Sequence, residues 1–112
     1  MAFTTTLAMT GNIAEITLSG ALDAAAVPAF RADIERGAEQ HPKHLVLLMQ
    51  DLEYIASAGL RALIFAKQKM GAGVDIYVIA PQEQVLETLK ITGFHHSIYI
   101  LDDYNADTIA NM

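Results

Sequence analysis

The chain contains no cysteine and no tryptophan, only three prolines, and seven lysine and arginine residues against thirteen acidic ones. Without cysteine there is neither a disulfide framework nor a thiolate metal site. A formal charge of −6 has the wrong sign for nucleic acid, whose binding needs clustered Lys and Arg to displace counterions. Nucleic acid and membrane are therefore not expected as direct partners. The amino end, "MAFTTTLAMTGN", has no basic region ahead of an apolar core, and no apolar run approaches the ~20 residues that span a bilayer. A soluble, cytoplasmic chain is expected. With 112 residues, 53% of them hydrophobic, the length suits one domain over 1–112 around one buried core.

What is present alternates between two periods. Thr4 to Met9 and Ile13 to Ser19 repeat every two residues, and "TGN" between them carries turn chemistry, which predicts an antiparallel hairpin closed by "SGALD". Val27, Phe30, Ile34 and Ala38 then fall at helical spacing, with Arg31, Asp33, Glu35 and Arg36 between them. Pro28 is tolerated only in a first turn, so the helix should start at about Ala25 to Val27 and leave Asp23 in the loop before it. "HLVLLMQ" reads as a strand buried on both faces, bounded by "HPKH" and "DLE". A second helix is predicted from Ser57 to about Met70, ended by "GAG", and "VDIYVIA" as another buried strand. Pro81 should open a third helix with Val85, Leu86 and Leu89 inward and Gly93 as its left-handed stop. "HSIYIL" and a helix from about Asp103 to Ala110 complete the pattern.

This order predicts an α/β fold: a mostly parallel sheet of about five strands with an antiparallel N-terminal edge strand, and about four helices. Sites in such sheets lie in loops at the carboxyl ends of strands. "GALD" and "DLEYIAS" are loops of that kind, so Asp23 and Ser57 should come near one another.

At ~100° per residue the second helix collects Gly59, Leu60, Ala62, Leu63, Ile64, Ala66 and Met70 on a core face. The opposite side gathers Ser57, Ala58, Arg61, Gln68, Lys69 and Phe65. An aromatic residue on a polar side is explained by the ordinary occurrence of single exposed apolar residues, by a neighbouring helix that covers it, or by a docking surface. That surface would comprise Ser57, Ala58, Arg61 and Phe65, with Arg61 and Phe65 as anchors. Serine at a helix start is often a cap. Here its neighbours are alanines followed by Gly59, which leaves the hydroxyl unobstructed. Phosphate on Ser57 would lie at the positive end of a helix dipole and be stabilised there. Asp23 suits equally a turn or cap before the first helix and a part in the phosphorylation and partner-binding site beside Ser57, and Asp51 reads as the end of a strand and the start of a turn.

Catalysis would require Ser57 as nucleophile with His41, His44, His95 or His96 as base. The glycine-serine-glycine elbow of hydrolases is absent, and the histidines belong to loops at other parts of the sheet. Neither histidine pair has carboxylate company at metal-ligand spacing, and "GAG" follows a helix where a phosphate cradle would follow a strand. No enzyme activity, cofactor or metal is expected.

"GALD", "DLEYIASAGLRALI" and the element order together resemble the STAS domain, and within it the anti-sigma factor antagonists of bacterial partner switching. The family's phosphorylated serine falls on Ser57, its loop aspartate near that serine on Asp23, and the aspartate opening the motif loop on Asp51. Ala56 and Ala58 stand where many members carry Asp or Ser before the acceptor and Ser or Thr after it, so Ser57 is the only candidate acceptor in the motif. The resemblance implies a non-enzymatic switch. Its unmodified form would bind an anti-sigma factor that is also a serine kinase and so free a sigma factor. Phosphorylation of Ser57 would break the complex, and a metal-dependent serine phosphatase would restore it. The alternative is a STAS scaffold in a larger signalling or transport assembly, with Ser57 never modified. An exposed aromatic face would also serve a homodimer.

Overall fold

Strand and helix alternate along residues 2–111, which a computed structural model of the chain describes. The hairpin is β1 (Thr4–Thr10) and β2 (Ile13–Leu22), followed by α1 (Val27–Glu39), β3 (His44–Ile55), α2 (Ser57–Met70), β4 (Asp75–Ile79) and α3 (Glu83–Ile91). A short 3-10 helix, Phe94–Ser97, leads to β5 (Tyr99–Leu101) and α4 (Ala106–Ala110). The expected five strands and four helices are all present. β1 runs antiparallel to β2, and the pairs β2–β3, β3–β4 and β4–β5 are parallel.

The strands lie in the order in which the chain makes them, β1-β2-β3-β4-β5. Right-handed crossovers that always step in one direction put every connecting helix on the same face of a sheet. Accordingly Phe30 and Ile34 of α1, Leu63 and Ala66 of α2, and Val85 and Leu89 of α3 share one buried cluster with Ile16, Leu18, Leu45 and Leu47. Among the described residues, the other face is covered by the C-terminal segment alone. There Ile109 of α4 closes over Ile13, Val46, Tyr77 and Ile79, with Tyr104 and Ala106 at the margin. Among the described residues no helix is long and apolar enough to cross a membrane.

Several boundaries differ from the sequence expectation, for identifiable reasons. β2 does not end at Ser19 and β3 does not end before Asp51. Two register slips, between Thr17 and Ser19 and between Gly20 and Ala21, let the two strands stay paired as far as Leu22 and Ile55. At both slips β3 carries the extra residue, and Gly20 of β2 lies beside the second, with φ +86° and a Cβ that would lie 1.8 Å from the carbonyl oxygen of Ala2. Asp51 is consequently an exposed strand residue opposite Ser19 and opens no loop. β3 also outruns β4, whose last partner in it is Leu48. The paired ends of β2 and β3 therefore project beyond the rest of the sheet.

On α2 the core stripe is rotated toward α1. Ile64, expected inward, is 46% exposed, whereas Phe65 is half-buried and packs against the main core. Leu86 of α3 is only partly buried, and the last two helices start later than Pro81 and Asp103 suggest, at Glu83 and Ala106. Two polar residues are unexpectedly interior. Asp33, 1% exposed, accepts a 2.7 Å hydrogen bond from the Thr5 hydroxyl and pairs with Arg36, tying α1 to β1. His44, read as a loop histidine, is the first residue of β3 and only 3% exposed.

Candidate functional site

The projecting ends of β2 and β3 form the base of the site. The Ala56 N–H donates to the Leu22 carbonyl at 3.0 Å, so Asp23 and Ser57 are the residues that follow the two partners of one hydrogen bond. Ala56 is extended (φ −89°, ψ 172°), and its carbonyl accepts the first bond of α2, from the Leu60 N–H. The chain thus turns from strand to helix through a single residue. Such a turn drives the first turn of α2 onto the end of β2, which is why Gly59 has no side chain. A Cβ at Gly59 would lie 2.6 Å from the Leu22 carbonyl oxygen and 2.9 Å from side-chain carbons of Ile55 and Leu22.

Ser57 is the first residue within α2 and is exposed. The helix has no side-chain cap, because the capping position belongs to Ala56. The serine hydroxyl makes no hydrogen bond to any described residue. Asp23 is engaged in holding the backbone, since its carbonyl and its Oδ1 both accept from the Ala26 N–H at 3.1 Å and so close the turn into α1.

α1 and α2 pack side by side and leave a groove of about 230 Å³ lined by Val27, Arg31, Ala58, Arg61, Ala62 and Phe65; Ser57 adjoins it in the chain through Ala58, and neither Ser57 nor Asp23 is among the lining residues. Ala58, Arg61 and Phe65 stand out in the sequence. Val27 and Arg31 do not. The Arg31 guanidinium lies over the Phe65 ring, 4.1 Å from its centroid, an attraction between cation and ring quadrupole. Phe65 on the polar side of its helix is the available signal that something covers it; that Arg31 does so depends on how α1 docks. The groove carries two arginines and no carboxylate among its lining residues, in a chain with a formal charge of −6.

The histidines lie elsewhere. His44 opens the twelve-residue strand whose far end leads to Ser57; its ring sits 5.9 Å from that of Tyr77, and both its nitrogens lack a hydrogen-bond partner. His95 and His96 belong to the 3-10 helix, with ring centroids 3.9 Å apart. None is on the elements that form the groove. Among the described residues no three His, Asp or Glu side chains are grouped so as to hold a metal ion.

No curated protein is similar to the chain in sequence. Solved structures are similar in fold. An anti-sigma factor antagonist from Mycobacterium paratuberculosis superposes with a TM-score of 0.84 at 21% identity, over 98% of this chain and 92% of that one. The anti-sigma factor antagonist SpoIIAA in its unphosphorylated form gives 0.79 at 20% identity, over 96% and 95% of the two chains. The Bacillus cell fate determinant SpoIIAA in its phosphorylated form gives 0.71 at 20% identity, over 96% and 98%. The family model for the STAS domain matches residues 5–109, and the chain therefore belongs to the STAS domain family.

Proposed function

We propose that the protein is a phosphorylation-controlled binding module of the anti-sigma factor antagonist kind, with Ser57 as acceptor and the α1–α2 groove as its docking surface. The observation that carries this reading is the serine hydroxyl itself: exposed at the start of α2, used by no cap, and beside a groove with two arginines. The likeness to antagonists solved in unphosphorylated and phosphorylated forms supports it.

The physics of the switch is local. Unmodified, Arg61 and Arg31 offer positive charge to a carboxylate-bearing partner, with Phe65 and Val27 as the apolar floor. Phosphate on Ser57 adds roughly −1.5 to −2 charges. It stands four residues before Arg61, one helical turn away, and so draws that cation into an internal pair while repelling the partner's acids. The fold survives, since the first turn of a helix favours negative charge. In this reading the partner is an anti-sigma factor serine kinase, a metal-dependent serine phosphatase resets the switch, and the domain itself catalyses nothing.

Titration of Ser57→Ala and Ser57→Asp against the anti-sigma factor kinase of the same cells tests this. Ser57→Ala should bind as the native chain does, and Ser57→Asp at least about tenfold more weakly, ~1.4 kcal/mol, with unchanged melting. Equal affinities for both variants would instead favour a constitutive scaffold.

A further inference from the structure

We infer that two copies of this chain associate through their β1 strands, aligned antiparallel about a twofold axis, to make one continuous sheet. β1 is an outer strand of the sheet. Seven residues long, "TTTLAMT", it contains no charge and no proline, and its register with β2 is unbroken from Thr4–Ser19 to Thr10–Ile13. Charge, proline and bulges are the devices by which edge strands are normally kept from pairing, and β1 has none of them. The other edge, β5, has only three residues.

The free hydrogen-bonding groups of β1 follow from its turn. Gly11 and Asn12 form a two-residue loop between Thr10 and Ile13, so those flanking residues are a bonded pair. Bonded and non-bonded pairs alternate along an antiparallel ladder. Ala8, Thr6 and Thr4 then bond inward to β2, and the amides and carbonyls of Thr5, Leu7 and Met9 point to the open edge. An identical antiparallel strand centred on Leu7 places Leu7 opposite Leu7 and Thr5 opposite Met9 of the other copy. Every free group thereby meets a free group, giving roughly six hydrogen bonds at two per bonded pair.

The side chains are compatible with this register. Thr5 and Leu7 point toward α1, where Thr5 bonds Asp33 and Leu7 touches the core. Met9, on the same side by alternation and 39% exposed, would be covered by the other copy. On the opposite side the pairs are Thr4 with Thr10 and Thr6 with Ala8, all uncharged and all exposed. A second copy is favoured as occupant over a foreign strand because the strand complements itself in both backbone parity and charge. Pairing of β1 with β1 also closes after two copies, whereas pairing with an unlike edge would propagate.

Sedimentation velocity over a wide concentration range, with charge variants on the exposed side of β1, decides the matter. The native chain should rise from 12.1 kDa toward twice that mass. Thr6→Lys/Ala8→Lys sets like charges opposite one another and should remain monomeric, while Thr6→Glu/Ala8→Lys sets opposite charges there and should still dimerise. In the native chain, amide exchange at Thr5, Leu7 and Met9 should slow as concentration rises. A native chain that stays monomeric throughout, a doubly lysine-substituted variant that dimerises equally well, or exchange at those amides that ignores concentration overturns the proposal.

Discussion

At Gly59 the absence of one carbon decides how the site is built. The Leu22 carbonyl oxygen, already bonded to the Ala56 N–H, lies 2.6 Å from the place a Cβ would take, closer than a Cβ comes. Neither that backbone carbonyl nor the Leu22 and Ile55 side chains around it can move without disturbing the β2–β3 pair. Gly59→Ala should therefore destabilise by about 1–3 kcal/mol, despite alanine's better helix propensity, and a lowered melting temperature in the purified variant checks this. The sequence pattern "ASAG" makes the exposure of Ser57 readable. It suggests that Gly59 merely clears space around the hydroxyl, whereas the glycine answers to packing beneath the helix. Phe65 shows the same limit. Helical periodicity puts it on the polar side, but α1 lies against that side and Arg31 covers the ring. A single helix cannot announce where its neighbour will dock.

Among the elements, the C-terminal segment carries the thinnest part of the structure, because α4 has five residues to close a whole sheet face. Its start is capped by Asn105, which accepts from the Thr108 N–H at 3.1 Å, and it is tied to the hairpin by the hydrogen bond from the Asn12 side-chain amide to the Ala110 carbonyl at 3.5 Å and by that from the Tyr104 hydroxyl to Glu15 of β2. Burial, that hydrogen bond and the Glu15 charge all hold the Tyr104 hydroxyl well above the usual tyrosine range. Its stabilising contribution is complete below the unfolded tyrosine value of about 10 and is lost as pH rises beyond it. Tyr77, raised by burial first and then by Asp75 and Tyr99, adds in the same direction. Urea midpoints should fall from about pH 9 to about pH 11, and Tyr104→Phe should lessen that fall while lowering the unfolding free energy at neutral pH by the ~1 kcal/mol of a lost hydrogen bond. An undiminished alkaline fall in that variant would assign the effect to other groups.

The number and kind of elements are readable because period two and period 3.6 alternate cleanly along the chain. Strand ends are not. β2 and β3 stay paired to their ends through two slips that place an extra residue on β3, a matter of long-range register that periodicity along one strand does not carry. For the same reason Asp51, which composition makes look like a turn residue, lies within β3. The meeting of Asp23 and Ser57 is readable from topology alone, since both follow strands that end on the same side of a parallel pair.

Across the whole molecule, the one-way strand order is what produces the candidate surface. It places α1 and α2 next to each other on one face, so that Arg31 and Arg61 reach the same groove beside the serine. In a chain with a formal charge of −6, that groove presents two arginines, which under the proposed switch would face acidic partners and be countered by a phosphate on Ser57. The direct measurement is intact-mass analysis with phosphopeptide mapping of the protein from its native cells under several growth conditions. A single phosphate on Ser57, at an occupancy that changes with condition, is the result expected of the switch. Ser57 unmodified in every condition, or phosphate only at other residues, would contradict it.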